Sequence, residues 1–275
     1  MISKRGLITF ILLLYYSLFF LYVKDPTYFL IASFILFVTL GMLYPKEWFE
    51  FMRKMGIYII SIPVIIMILI TVAYYLTFET SIAFIVGMAL VVLLSFAIAV
   101  RSGERLFKYS MFVIGALAFI SLLLLLTGSS FTIFYPYGTL VYQTYYTPTQ
   151  QIPSDVLYNT LKFTIVFWNV TVPALFSYIS VLLKGWEKGR SGALAGAGIG
   201  LTVATFVVLM GLAGTADKTV FVQIVRLMPF GNTIPDYLFD FLGVIGSAWI
   251  VIIMITLVTF VTAGIFAMIS RLIAE

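Results

Sequence analysis

Phe167-Trp168-Asn169-Val170-Thr171-Val172-Pro173-Ala174 lies in the middle of a run, 163–183, that carries no ionised residue. About 20 apolar residues suffice to cross a bilayer core as a helix, and this run has a proline inside it. Proline lacks the amide hydrogen that a helix gives to the carbonyl four residues earlier, and its ring collides with that carbonyl. Pro173 therefore strips the backbone donor from Asn169 and predicts a bend there. A free carbonyl, a side-chain amide and the Thr171 hydroxyl then share one depth near the bilayer midplane. Leaving such groups unpaired in hydrocarbon costs on the order of several kcal/mol each. Two arrangements would satisfy them: an ordinary proline kink closed by Thr171 and neighbouring helices, or a broken helix whose free groups face a bound solute. The Asn169-Val170-Thr171 sequon carries no glycosylation meaning at that depth.

The rest of the chain repeats the pattern. Of 275 residues, 63% are hydrophobic and only 10% are charged, too few to give a globule of this size a water-compatible surface. Charge-free runs and the breaks between them predict eight spans, at about 6–23, 27–45, 56–78, 80–100, 109–127, 161–183, 191–214 and 241–270. The fifth stops before Gly128-Ser129-Ser130, where the apolar run ends. The first, behind Lys4 and Arg5, is long for a signal-peptide core and has no small-x-small cleavage site, so it reads as a retained helix. The expected fold class is an all-α polytopic membrane protein forming a single transmembrane domain over 1–275.

Orientation follows from the basic residues, which are held on the cytoplasmic side during insertion. Twelve of them (Lys4, Arg5, Lys46, Arg53, Lys54, Arg101, Arg105, Lys108, Lys184, Lys188, Arg190 and Arg271) fall at one set of ends, against four (Lys24, Lys162, Lys218 and Arg226) at the other. Both termini are expected to be cytoplasmic, in a plasma membrane. The net charge of +5 thus sets topology and touches anionic headgroups; no arginine-rich reading element points to nucleic acid.

Two outer segments are longer than the rest, 128–160 and 215–240. The first holds Tyr135, Tyr137, Tyr142, Tyr145, Tyr146 and Tyr158 with Pro136, Pro148 and Pro153, which suits a cap at headgroup level or a gate in contact with substrate. The second has a short amphipathic stretch around Val220–Leu227, a turn at Pro229-Phe230-Gly231-Asn232 and a further short piece near Pro235–Asp240, the pattern of a helical hairpin folded on the outer face. Span seven opens with Gly192, Gly196 and Gly200 on one face, where small residues let a second helix approach closely.

These features together resemble the spore-germination permeases and related transporters of the amino acid–polyamine–organocation superfamily. The stretches that carry the likeness are Ile2-Ser3-Lys4-Arg5, Tyr44-Pro45-Lys46-Glu47-Trp48-Phe49 and Val100-Arg101-Ser102-Gly103-Glu104-Arg105, set in the order of five spans, a long outer loop, a proline-bearing sixth, a seventh, an outer hairpin and an eighth. The resemblance implies an inverted-repeat (LeuT-like) bundle in which spans one and six are interrupted and line a solute site, with span eight beside span one. Members usually have ten spans, so eight imply an incomplete second repeat. Carried over by position, the solute-facing residues would be Phe167, Trp168, Asn169 and Thr171 on span six, Tyr15 and Ser17 on span one, and Thr256 and Thr259 on span eight; Pro173 is added as the residue that makes the break, and Thr256 and Thr259, one helical turn apart, are also the candidate ion ligands. Span one has no internal Gly or Pro to break it.

The absence of Cys and His removes thiol nucleophiles, Cys/His metal sites and every imidazole mechanism. No Asp, Glu, Lys, Arg or His lies well inside any span, so a proton path has no titratable group, while sodium held by carbonyls and hydroxyls or simple facilitated uptake needs none. Neither an enzyme nor a resident cofactor or metal is expected. The leading expectation is a permease-like protein that binds or carries a small solute such as an amino acid. The other is a non-transporting membrane scaffold or sensor subunit that meets partner membrane chains.

Overall fold

A computed structural model describes residues 4–22, 26–53, 57–103, 105–127, 167–184, 186–215, 222, 225–226 and 230–269. The described residues are helical, with short turns and no strand. This is what hydrocarbon demands, because a helix satisfies its backbone hydrogen bonds within one segment. In order the elements are α1 (Lys4–Tyr22), α2 (Pro26–Leu43), α3 (Pro45–Phe51), α4 (Ile57–Thr77), α5 (Thr80–Arg101), α6 (Arg105–Leu126), a π-helical turn (Phe167–Thr171), α7 (Val172–Lys184), α8 (Trp186–Thr215), a 3-10 turn (Gly231–Thr233) and α9 (Asp236–Ile269). Segment 128–160, with its tyrosines, lies outside the described residues.

Among the described residues three stretches are long and apolar enough to cross a membrane, Ile59–Thr77, Ile82–Arg101 and Asp236–Ile269. A fourth is added if α2 and α3, bent by 119° to one another, count as one span. Burial runs opposite to that of a soluble protein. On α5 Leu93 is 63% exposed while Ser95 is fully buried, and on α9 Ile253 and Leu257 face outward while Ser247, Thr256, Thr259 and Thr262 face in. Apolar surface outside and polar groups against other helices is the distribution a bilayer favours.

Two apolar cores share α8 and α9. One is built where α4, α5, α6 and α8 meet, around Met67, Phe84, Met88 and Met111, with Ile252 of α9. The other joins α2, α3, α8 and α9 around Phe37, Phe51 and Phe260, whose rings meet at centroid distances of 5.3–6.1 Å. Polar pins cross between helices as well. Trp249 Nε1 on α9 donates to Thr71 Oγ1 on α4 at 3.0 Å, and Tyr16 on α1 is bonded to Ser33 on α2.

Local chemistry explains the breaks. Pro45 begins α3 at a position where a helix has no use for an amide hydrogen. Trp48 then folds back over Gly41, where a Cβ would stand 2.6 Å from the indole Cδ1. Helix α3 occupies most of the stretch between the expected spans 27–45 and 56–78. Helix α8 likewise starts at Trp186 and takes in most of the expected 184–190 connection. On α9, Gly243 takes φ 61° and ψ −166°, a backbone state open essentially to glycine alone, and separates Asp236–Leu242 from the long buried stretch. Phe230 before the 3-10 turn sits at φ 60°, and its amide donates to Thr27 Oγ1 on α2 at 2.8 Å, tying this turn to α2. Arg226 pairs with Asp236 across the same turn.

Candidate functional site

Pro173 leaves the Asn169 carbonyl without its helical donor, and the chain responds by widening. Phe167–Thr171 forms a π-helical turn before α7 resumes at Val172. Such turns use i to i+5 hydrogen bonds and recur at functional sites. The orphaned oxygen is met from another helix: Thr262 Oγ1 on α9 donates to the Asn169 carbonyl. One turn earlier on α9, Thr259 Oγ1 donates to Asn169 Oδ1 at 2.6 Å. Both threonines also lie within reach of carbonyls of their own helix, Thr259 of Ile255 at 2.9 Å and Thr262 of Val258 at 2.9 Å. Each hydroxyl has one hydrogen, so the two acceptors share it.

Asn169 is 0% exposed, and its Nδ2 has no hydrogen-bond partner. A buried donor left unmade costs about 1–3 kcal/mol. Behind the break stands α8. A Cβ on Gly196 would lie 2.6 Å from Pro173 Cα and 2.8 Å from the Val172 carbonyl oxygen, and one on Gly192 would collide with the Phe176 carbonyl and the Ser180 hydroxyl. The small face of α8 is thus spent on α7, its own chain neighbour, and it holds the broken segment against α9.

Thr171 is half-buried in the π-helical turn, Pro173 is buried, and Thr256 is buried with Oγ1 donating to the Ile252 carbonyl at 2.7 Å. Asn169, Pro173 and Thr259 therefore come together, with Thr256 one turn from Thr259. Tyr15 does not join them; it is 70% exposed on α1, and that helix meets α2 through Tyr16–Ser33 and the junction of α2 and α3 through Thr9–Tyr44. The side chains of Phe167, Trp168 and Ser17 lie outside the described residues. One partner was missed in the sequence, Thr262, and the helix that meets the Gly196 face was not named. Thr262 had a signal, since Thr256, Thr259 and Thr262 recur at three-residue spacing along one side of α9.

No protein-family model, curated protein or solved structure matches the chain.

The chemistry open to these groups is narrow. The buried polar side chains among the described residues are Thr, Ser and Asn, with no charged group in the set. No cluster of three or more His, Cys, Asp or Glu that could hold a metal occurs among the described residues. What the site offers is an amide nitrogen with two free hydrogens beside hydroxyl and carbonyl oxygens. Those groups can bind and orient an acceptor such as a carboxylate or carbonyl.

Proposed function

We propose that the chain is a permease-like membrane protein that binds or carries a small neutral or zwitterionic solute, such as an amino acid, at the break around Asn169. The observation that carries the reading is the fully buried Asn169 Nδ2 with no partner, on a residue whose side-chain and backbone oxygens are both met by α9. A native interior seldom leaves such a donor unmade, and a guest acceptor supplies the missing bond. The lack of charge around it favours a guest that brings none or a balanced pair. On this reading the chain crosses the plasma membrane eight times with both termini cytoplasmic, as an inverted-repeat bundle akin to the spore-germination permeases. Thr256 and Thr259 are then the hydroxyls nearest a coupling cation.

The scaffold reading drew support from the glycine face of span seven as a docking surface for another chain. That face is occupied by α7, which leaves the reading with less behind it.

The test is saturable amino-acid binding or flux in proteoliposomes. Asn169→Ala and Pro173→Ala variants that keep the wild-type melting temperature are expected to lose it. Unchanged flux in both variants, or a stable stoichiometric partner with no dependence on any solute, overturns the proposal.

A further inference from the structure

A cavity of about 240 Å³ lies where α4, α5, α6 and α8 meet, apart from Asn169 and the broken segment. Its walls include Ile62 and Pro63 of α4, Leu94 of α5, Phe107 of α6, and Gly198 and Thr205 of α8. These positions fall in the first turns of α4 and α6, the later turns of α5 and the first two thirds of α8. They place the cavity toward the ends that carry Arg101 and Arg105. A 150 Å³ apolar cavity holds benzene, so this one has room for about ten non-hydrogen atoms.

One polar residue among those lining the cavity has an unexplained hydroxyl. Thr205 is 2% exposed and its hydroxyl has no partner, whereas Thr202 one turn before donates to the Gly198 carbonyl at 2.7 Å in the way helical threonines usually do. Water is a poor occupant, because a buried water needs two to four polar partners and the lining is otherwise almost all hydrocarbon. A pure hydrocarbon chain would fill the volume and leave the hydroxyl unmet. Pro63 also withholds an amide hydrogen from the Ile59 carbonyl, and both residues line the cavity.

We infer that this cavity is a binding site for a small, uncharged, mainly apolar molecule carrying one hydroxyl or carbonyl oxygen, with Thr205 as the hydrogen-bonding group and the surrounding lipid as the route of access. It stands independently of the solute site at Asn169.

The pair 1-naphthol and naphthalene tests it, since the two differ by one hydroxyl and fit the volume. With purified protein in nanodiscs, 1-naphthol is expected to bind saturably, above its linear partition into empty discs, and about tenfold more tightly than naphthalene. Thr205→Val, of the same shape, should bring 1-naphthol down to the affinity of naphthalene, and Thr205→Ser should keep the preference. Gly198→Leu should abolish saturable binding of both, because a Cβ there meets only Phe107 at 3.7 Å and the rest of the side chain enters the cavity. Linear partition alone for the wild type, or a preference that survives Thr205→Val, overturns the site. If Gly198→Leu fails to fold, the two Thr205 variants decide the matter alone.

Discussion

Asn169 is held by two hydroxyls that arrive from ninety and ninety-three positions further along the chain. The bond from Thr262 to its carbonyl has a specific purpose, because it replaces the amide hydrogen that Pro173 lacks. A double-mutant cycle tests this. Thr262→Val should destabilise the wild type by about 1–3 kcal/mol through an unmet buried carbonyl. In a Pro173→Ala background, where an amide hydrogen returns, the same change should cost clearly less. Equal costs in the two backgrounds, measured by unfolding in detergent, would show that Thr262 serves its own helix through Val258 instead. Proline's effect on its own helix is local and could be read from eight residues. The identity of the rescuer was not, since any hydroxyl on any facing helix would serve.

At the scale of elements, closeness of approach separates glycines that are otherwise alike in the sequence. Gly196→Ala drives a methyl into the Val172–Pro173 backbone, which cannot swing aside as a side chain can, so a loss of about 1–3 kcal/mol is expected. Gly198→Ala, two residues on, meets only ordinary contact with Phe107 and should be neutral or gain up to about 1 kcal/mol from helix propensity. Thermal unfolding of the two variants side by side checks the contrast, and similar melting points would refute the proposed α7–α8 contact. Gly243 is a different case, with open space around its missing Cβ and a backbone angle that alanine resists. Gly243→Ala should cost about 1–3 kcal/mol, or straighten α9 and pull Asp236 away from Arg226. A spin-label distance between α2 and residue 237 that stays at the wild-type value, with unchanged stability, would rule this out.

For the whole molecule, the inverted burial of α5 and α9 argues for lipid as the surrounding solvent, and the twelve-to-four split of basic residues argues for one orientation in it. The chain has no cysteine, so single substitutions report cleanly. Gly103→Cys, where no atom would crowd the new side chain, should react with an impermeant thiol reagent only from the cytoplasmic face. Tyr237→Cys, at an exposed position, should react only from outside. Labelling of both from one side would overturn the eight-span topology.

Composition and charge spacing were enough to establish a helical membrane protein, because a bilayer imposes its demands on every residue of a span independently and in order along the chain. The break at Pro173 and the close-packing face at Gly192 and Gly196 were legible for the same reason: each follows from covalent geometry within a turn or two. Which surfaces those features meet depends on helices far apart in sequence coming side by side. Thr262 against Asn169, Gly196 against Pro173 and Trp48 over Gly41 are contacts of that kind, and so is the unmet Thr205 hydroxyl. Apolar helices of similar composition pack in many registers, and shape complementarity summed over the assembled bundle selects one of them.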